Sequence, residues 1–375
     1  MSGSISVVSE SDQLRALRSQ WHELFERSLR PSVFLSHEWF ESAWQWRQKS
    51  ARLHFLCYHW EGRLGAVCPL VCRSQGGVRL LEFLTVPDTQ LCDLVVAREY
   101  QDRAIDAFVS ELAARRRQWD VLRLRHMPPD AIAIRGLLAG LEQRGFRSFD
   151  RAATANPYIA LDGRWDAYYA TRTRSLKKAS NLAANRLNKS GKVVIKQLAA
   201  GDGDAEEVER FVSEAIMVSA HSWKGRTENS LDHAGPQAFI RTLSDLAHQR
   251  GWLSIWLAYL DGEPIAMEYQ LVADGNVYAL RSDFDGRHQH VSPGSYLSRH
   301  LLERLFECAL RRYLMGPGQN SYKYRWTDQA EPLHEGVVFS STLGGTALAA
   351  WTLKIKPVLR HWRLRFKSLS VRSTK

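Results

Sequence analysis

The sequence of 375 residues predicts an α/β protein with a mixed sheet, built from two tandem units. Helical and strand periodicities alternate along the chain, as in a layered α/β fold. Two hairpin turns of an acid followed by glycine, Glu61-Gly62 and Asp261-Gly262, lie at matching places in the two halves, and the same order of elements surrounds each. A composition with 45% hydrophobic and 24% charged residues excludes a disordered chain.

The first unit begins with helical spacing over residues 10–28, and Ser36 is positioned to cap a second helix. Strands predicted at 53–60 and 64–72 flank the turn Glu61-Gly62-Arg63, which is a hairpin signal. The remaining predicted elements are a strand at 78–84, a helix at 100–116, a strand at 119–125 and a helix at 131–144.

The second unit repeats this order. Its predicted elements are helices at 205–219 and 236–249, strands at 252–260, 264–272 and 277–284, and a closing helix at 295–313. Ala66 and Ala266 follow the two acid-Gly turns at the same distance, which favours an internal duplication. We expect three segments: a degenerate N-terminal unit over 1–155, a functional unit over 156–345 and a basic amphipathic tail over 346–375.

A loop before the last predicted helix has the features of a phosphate site. The strand 277–284 leads through Ser292-Pro293-Gly294-Ser295 into a helix whose first N–H groups and dipole attract an anion. The predicted donor-binding residues are Arg287, Val291, Ser292, Pro293, Gly294 and Ser295. The alternative is that Ser-Pro-Gly only caps a structural helix. The matching segment of the first unit, 90–94, lacks glycine and carries Asp93, so only the second unit is predicted to bind in this way.

Further motifs stand in order along the second unit: Ser222-Trp223-Lys224-Gly225, the hairpin 260–266, the pair Asp283 and Asp285, Ser292-Pro293-Gly294, and Gly316-Pro317-Gly318 followed by Tyr322-Lys323 and Trp326. This set resembles the GNAT superfamily of N-acetyltransferases. It is more closely similar to the acetyltransferase domain of CelD-type proteins of bacterial cellulose and exopolysaccharide loci. The resemblance covers about residues 150–335, and the tandem arrangement is similar to Fem-type peptidyltransferases.

The resemblance implies two tandem GNAT-like domains, the first degenerate, and transfer of an acyl group to an amine. It implies acetyl-CoA as the usual donor, with its pyrophosphate on the loop 287–296. This loop has one glycine where two are common in the superfamily. A longer acyl-CoA, an acyl carrier protein or an aminoacyl-tRNA therefore stay open as donors.

Acyl transfer to an amine needs a base for the amine and an acid for the leaving group. Glu268 lies within an apolar strand, where burial would raise its pKa; the alternative is an outward-facing strand residue. Asp283 and Asp285 share a strand face and either contact the acceptor or belong to a turn. By the resemblance Tyr322 is the general acid. Lys323, Trp223 and Lys224 are expected at the substrate, although the run 322–326 also reads as a plain strand. No zinc spacing or hydrolase motif is present, so we expect no metal.

The formal net charge of +11 is concentrated in two segments. Residues 167–201 and 351–375 each hold eight Lys and Arg residues and no acid, and the first of them reads as a helix that stops near Gly191. The second has the pattern of a basic amphipathic helix that contacts an anionic membrane surface, with docking on the protein or a free tail as alternatives. Nucleic acid is not expected as a partner, except tRNA if the donor is an aminoacyl-tRNA.

The five cysteines and the absence of a signal-like N-terminus indicate a cytoplasmic protein, with peripheral contact at the inner face of the membrane through the tail. The sequence is compatible with three functions. The first is an acetyl-CoA-dependent N-acyltransferase for an amine of a sugar or polysaccharide precursor. The second is a Fem-like transferase that uses aminoacyl-tRNA. The third is a non-catalytic GNAT-fold factor in exopolysaccharide biosynthesis.

Overall fold

The computed structural model describes residues 3–222 and 229–355. The strands of this part of the chain are β1 Gly3–Val8, β2 Arg52–Trp60, β3 Arg63–Gln75, β4 Val78–Phe83, β5 Val95–Val96, β6 Val121–Met127, β7 Arg147–Ala160, β8 Val193–Leu198, β9 Leu253–Leu260, β10 Glu263–Ala273, β11 Asn276–Phe284, β12 Arg312–Leu314 and β13 Ala330–Phe339. They form one mixed sheet in the order β1-β2-β3-β4-β6-β13-β7-β12-β11-β10-β9-β8, with β5 paired to β3.

The α-helices are α1 Ser11–Ala16, α2 Arg18–Glu26, α3 His37–Arg47, α4 Gln101–Ala114, α5 Ala139–Gln143, α6 Trp165–Ala170, α7 Arg174–Ser190, α8 Ala205–Ala220, α9 Ala234–Gln249, α10 Pro293–Leu305 and α11 Leu343–Ala350. Shorter 3₁₀ and π turns lie between them, including Gly286–Val291 before α10 and Lys323–Arg325 after β12. In these described residues no helix is both long enough and apolar enough to span a membrane.

The predicted two-unit α/β fold is confirmed by the order and direction of the strands. Each unit has an edge strand, a helical segment, three antiparallel strands, a helix and a strand that pairs in parallel: β4 with β6 in the first unit and β11 with β12 in the second. The acid-Gly turns also match, because Glu61 and Asp261 both have φ 51° and both are followed by a glycine with positive φ. This left-handed pair is the turn that fits the twist of a two-residue hairpin.

The two units exchange their last strands. β7 ends the first unit, but its residues 158–160 pair with β12 of the second. β13 lies in the second half of the chain, yet it pairs with β6 of the first unit and with the greater part of β7. Two half-sheets therefore become one continuous sheet, and neither unit has a complete edge without the other.

Packing across the units fixes their relative position. Helix α3 of the first unit lies on α9 of the second, where the rings of Trp39 and Phe239 are 5.5 Å apart in an edge-to-face contact. A single apolar core runs from the first unit beneath α8 and α9, on one face of the second unit's sheet. A separate core under α7 and α10 covers the opposite face.

Several elements differ from the sequence predictions. The helix predicted within 167–201 ends at Ser190, in agreement with the predicted stop near Gly191, but it is separate from α6, and the unpredicted edge strand β8 follows it. The helix predicted over 295–313 ends at Leu305, and the short strand β12 follows. The long strands β7 and β13 were not predicted, since their mixed polar and small residues carry little strand periodicity and their order comes from pairing with each other.

Candidate active site

The candidate site is a cleft where two parallel strands part. β11 pairs with β12 only over Asn276–Tyr278, and beyond Tyr278 the described register gives β11 no partner on β12. The chain after β12 instead turns toward β7, where the Met315 amide donates to the Pro157 carbonyl. A cavity of about 150 Å³ opens between the separated segments. Its walls come from residues 279–282 of β11, from 315–317 and from α10.

Glu268 of β10 lies at the floor of this cleft and is 1% exposed. Its Oε1 accepts hydrogen bonds from the Tyr313 hydroxyl at 2.6 Å and from the Gln270 amide at 2.7 Å. Burial raises the pKa of Glu268 to about 7, and hydrogen bonds from Tyr313, Gln270 and Ser282 partly oppose this rise. The structure thus buries the carboxyl group, and near neutral pH it can both accept and release a proton.

Tyr322 lies at the mouth of the same cleft, with about half of its surface exposed. Removal from water raises its pKa to about 12, and the negative charges of Glu268 and Asp283 add to the rise. The phenol is therefore protonated at neutral pH and can donate a proton to a group in the cleft. Residues 323–325 form a 3₁₀ turn rather than the strand that the sequence left open.

Lys323 fixes the loop that carries Tyr322. Its ammonium group is buried and donates hydrogen bonds to the carbonyls of Gly316 at 2.8 Å and Pro317 at 3.2 Å. Gly316 and Gly318 both have positive φ, which other residues rarely adopt, so the turn requires glycine at these positions. The Gly-Pro-Gly turn and Lys323 together hold Tyr322 over the cavity.

A β-bulge lies beside the cleft. In the pairing of β10 with β11, Tyr269 faces Arg281 and Gln270 faces Ala279, so Leu280 is an extra residue on β11. Leu280 lines the cavity at the point where β11 has separated from β12. Bulges re-aim the backbone next to active sites, and this one turns the chain of β11 toward the space above Glu268.

The first unit supplies one wall of the cleft through Pro87, Asp88 and Gln90. Asp88 accepts a hydrogen bond of 2.7 Å from the guanidinium of Arg281, and both side chains are almost fully buried. The Gln90 amide donates to the Ala279 carbonyl at 2.8 Å. The cleft is therefore built by both units.

In the first unit the equivalent space between β4 and β6 is filled by the chain itself. The Cys92 amide donates to the His126 carbonyl, and the His126 ring contacts the Thr89 carbonyl at 2.6 Å. Asp93 accepts hydrogen bonds from the amides of Ile132 and Ala133 at 2.8 Å. Burial nevertheless raises the pKa of Asp93 to about 6. The same segment, residues 87–93, fills this space in the first unit and forms one wall of the cleft in the second.

The predicted donor residues lie around the start of α10, with different environments. Ser292 adopts a left-handed backbone conformation, Pro293 is the first helical residue, and Ser295 is exposed. A Cβ on Gly294 would lie 3.3 Å from the ring of Phe284. The side chain of Val291 packs in a small core with Leu187 and Ile265, so this side chain is not available to a ligand.

Arg287 is held by two carboxylates at the donor loop. Its guanidinium pairs with Asp285 at 2.5 Å and with Glu263 at 2.7 Å, and these partners raise its pKa above the usual range. Asp285 in turn accepts from the Arg287 backbone amide, and these bonds hold the pKa of Asp285 below its ordinary value although burial opposes them. Both residues are thus engaged in the turn that precedes α10.

Asp283, a further predicted catalytic residue, is not part of the cavity lining. Asp283 is buried beside the cleft, where its carboxylate accepts from the Ser219 hydroxyl at 3.0 Å. Trp223 and Lys224 lie outside the described residues, so their predicted contact with the acceptor stays a prediction. Among the residues that the structure describes, no group of three or more His, Cys, Asp or Glu side chains could hold a metal ion.

Several cleft residues were missed by the sequence analysis: Asp88, Gln90, Gln270, Ser282 and Tyr313. Gln270 is two residues after Glu268 on β10, and such residues point to the same face of a sheet, so the sequence could have placed Gln270 beside Glu268. Tyr313 and Gln90 carry no such signal, because a three-residue strand and a segment of the other unit bring them there.

Residues 174–324 match the family described as an acetyltransferase (GNAT) domain. The match lies within the second unit. No curated protein gives a significant match to the sequence.

Solved structures share the GNAT fold along most of the chain. The C-terminal domain of a putative lysylphosphatidylglycerol synthetase from Agrobacterium fabrum is 14% identical, with 92% of this chain and 97% of that chain covered and a TM-score of 0.53. FemX is 10% identical over 89% and 97%, with a TM-score of 0.52. L-PGS from Bacillus licheniformis is 15% identical over 89% and 95%, also with 0.52. At this identity the likeness concerns the fold, and the predicted tandem GNAT arrangement is confirmed.

Proposed function

We propose that this protein is a GNAT-type N-acyltransferase, with its reaction in the cleft between β11 and β12. The observation that carries the proposal is the buried Glu268, whose pKa is raised to about 7 in a cavity that also holds a protonated tyrosine. A base that titrates near the working pH and an acid that stays protonated are the pair that acyl transfer to an amine requires.

The chemistry follows from these positions. Glu268 takes a proton from the attacking amine as the C–N bond forms to the acyl carbon. The backbone of the bulge at Leu280 is the source of an N–H for the developing oxyanion. When the tetrahedral intermediate collapses, the bond to the leaving group breaks and Tyr322 protonates that group. Lys323 keeps Tyr322 in place through the Gly316 and Pro317 carbonyls.

The donor in this proposal is an acyl-CoA, with acetyl-CoA as the first choice. Helix α10 lines the cleft through Ser298 and Leu302, and its start carries Ser292-Pro293-Gly294-Ser295. The N-terminus of a helix favours the negative charge of a pyrophosphate. The acceptor is an amine of a sugar or polysaccharide precursor, as the CelD-type resemblance implies. Peripheral contact with a membrane through 351–375 and a cytoplasmic location belong to the same proposal; most of that segment lies outside the described residues.

A second candidate is transfer of an aminoacyl group, with aminoacyl-tRNA as donor. The observation that favours it is the basic face of α7, where Arg174, Lys178, Arg186 and Lys189 are exposed. Arg186 donates a hydrogen bond of 3.1 Å to the His290 carbonyl and so ties this face to the donor loop. One solved structure that shares the fold is a putative lysylphosphatidylglycerol synthetase domain, whose name refers to a lysyl group.

Calorimetry with acetyl-CoA, longer acyl-CoAs and charged tRNA separates the candidates, combined with release of free CoA in the presence of amines. We expect acyl-CoA binding, and a fall in kcat of roughly 10²- to 10⁴-fold in both Glu268→Gln and Tyr322→Phe with donor affinity retained. Tyr324→Phe is the matched control, since Tyr324 is similarly exposed but does not line the cavity.

Two other outcomes would support the alternative functions. Binding of charged tRNA that weakens steeply with salt, without CoA binding, supports aminoacyl transfer instead. Failure of both donors to bind, with unchanged cell phenotypes for Glu268→Gln and Tyr322→Phe, contradicts an enzymatic role and leaves the non-catalytic factor.

A further inference from the structure

A second cavity lies next to the reaction cleft, at the junction of the two units. We call it the junction chamber; it has a volume of about 410 Å³. Its apolar walls include Phe34, Leu91, Pro129, Tyr278, Leu314 and Leu333. Gln90 lines both the chamber and the cleft, so the two spaces adjoin at this side chain.

The chamber lies on the face of the sheet opposite α10. Along the β11–β12 pair, Val277 and Tyr313 point into the core beneath α10. Their neighbours Tyr278 and Leu314 line the chamber, and side chains alternate between faces along a strand. A donor held at the start of α10 would thus approach the cleft from one face, and the chamber is reached from the other.

The partition between the two spaces is polar and buried. The Gln90 side chain donates to the Ala279 carbonyl and accepts a hydrogen bond of 3.2 Å from the Asn156 amide. Asn156 lines the chamber and is 3% exposed, and its Oδ1 has no hydrogen-bond partner among the residues that the structure describes. A buried acceptor without a partner carries a desolvation cost, which a ligand N–H or O–H would remove.

The charges of the chamber lining cancel. Arg30 pairs with Asp130, and Arg312 pairs with Glu331. The lining thus offers a phosphate or carboxylate no excess positive charge, and it offers an ammonium no excess negative charge. What fits is an uncharged body, largely apolar, with a hydrogen-bond donor placed near Asn156.

We propose that the junction chamber binds the apolar body of the acceptor, so that the acceptor is an amine joined to an uncharged apolar group through a hydrogen-bond donor such as an amide. In this arrangement the amine lies in the cleft at Glu268, the acceptor's N–H lies at Asn156, and the apolar group fills the chamber. The Gln90 side chain turns out of its bonds to Ala279 and Asn156 to let the acceptor pass. This assignment rests on the proposed acyltransferase function and narrows its acceptor, because a sugar amine fits the chamber only if it carries an apolar group.

Calorimetry with n-butylamine, n-hexylamine and n-octylamine on the full chain tests the chamber without requiring turnover. Each methylene buried in an apolar site strengthens binding about fourfold, so we expect affinity to rise along the series. Leu91→Trp fills the chamber from a half-buried loop position and is expected to abolish this rise. Leu182→Trp, on the exposed side of α7, is the matched control and should leave it unchanged.

A second pair of probes tests the acceptor on Asn156. Glycine hexylamide and glycine hexyl ester differ mainly in one N–H, so the amide should bind roughly twofold to tenfold more tightly to the native protein. In Asn156→Ala the two probes should bind alike. An equal affinity in the native protein overturns the hydrogen-bond assignment.

The outcomes distinguish this inference from the function on which it rests. If short amines are acylated but affinity does not rise from butylamine to octylamine, or rises equally in Leu91→Trp, the chamber assignment is wrong and acyl transfer remains supported. A gain that is lost in Leu91→Trp, without acyl transfer from any donor, overturns the enzymatic function and with it the role of the chamber as an acceptor site. A gain in binding and in kcat/KM, both lost in Leu91→Trp, supports the proposal.

Discussion

The hydroxyl of Tyr313 donates a hydrogen bond of 2.6 Å to Oε1 of Glu268, two strands away across β11. Burial raises the pKa of Tyr313 well above its ordinary value, and the charge of Glu268 adds to the rise, so the phenol is a proton donor throughout the neutral range. The bond favours the ionised form of Glu268, which burial opposes. Tyr313 therefore positions the proposed base and adjusts its protonation.

Replacement of Tyr313 by phenylalanine should raise the pKa of Glu268 further, because the charged form loses a hydrogen bond. The acid limb of the kcat/KM profile should then move to higher pH by about one pH unit. The measurement is a pH–rate profile of amine acylation. A limb that stays in place or moves to lower pH would show that Glu268 is not the titrating base; Tyr324→Phe should leave the profile unaltered.

The buried Glu268 should also make the stability of the protein depend on pH. Its pKa is about 7 in the folded chain against an ordinary value of 4.5, so the folded state holds the proton more tightly. The associated stability is present below pH 4.5 and is lost as the pH rises through about 7. Glu268→Gln cannot titrate, so its stability relative to the native protein should rise by about 3 kcal/mol between pH 4 and 9.

Urea unfolding of the two proteins at matched pH values measures this difference. Other titrating groups, such as Asp93 with its raised pKa of about 6, are present in both proteins and cancel in the comparison. If the free energies of unfolding of the two proteins change with pH in parallel, the pKa of Glu268 is not raised in the folded protein.

The ion pair of Asp88 with Arg281 joins the units at the cleft, with side chains 6% and 4% exposed. Removal of one partner leaves the other charge buried, so Asp88→Asn should lower the free energy of unfolding by about 3 kcal/mol. The double variant with Arg281→Met should recover part of this loss. Glu307→Gln, which breaks an exposed pair with Arg304, is the control and should change stability by less than about 1 kcal/mol. If Asp88→Asn and Glu307→Gln lower the free energy of unfolding equally, the Asp88–Arg281 pair is not buried.

Gly294 tests the donor site at the start of α10. Its φ is not positive, so alanine is tolerated by the backbone, but a Cβ would already lie 3.3 Å from the ring of Phe284. We expect Gly294→Val to weaken acyl-CoA binding by about tenfold or more through loss of close backbone approach, with a smaller effect in Gly294→Ala. Calorimetry measures both affinities, and a thermal melt checks folding. If a folded Gly294→Val protein binds acyl-CoA with native affinity, the donor does not bind at this loop.

The sequence determined the local and repeated features of this protein. The hairpin turns at Glu61 and Asp261, most helices and the tandem order were predictable, because turn chemistry and apolar periodicity act over a few residues. Glu268, Tyr322 and Lys323 were singled out from the sequence, and the structure places all three at one cavity.

Only the tertiary structure decided how the units complete each other. The exchange of β7 and β13, the wall that Gln90 adds to the second unit's cleft and the bond from Tyr313 to Glu268 join residues distant in sequence. Such contacts depend on strand pairing across the whole sheet, which leaves no periodic trace in either partner. The raised pKa of Glu268 follows from the same pairing, because burial on every side sets it and the residue type alone does not.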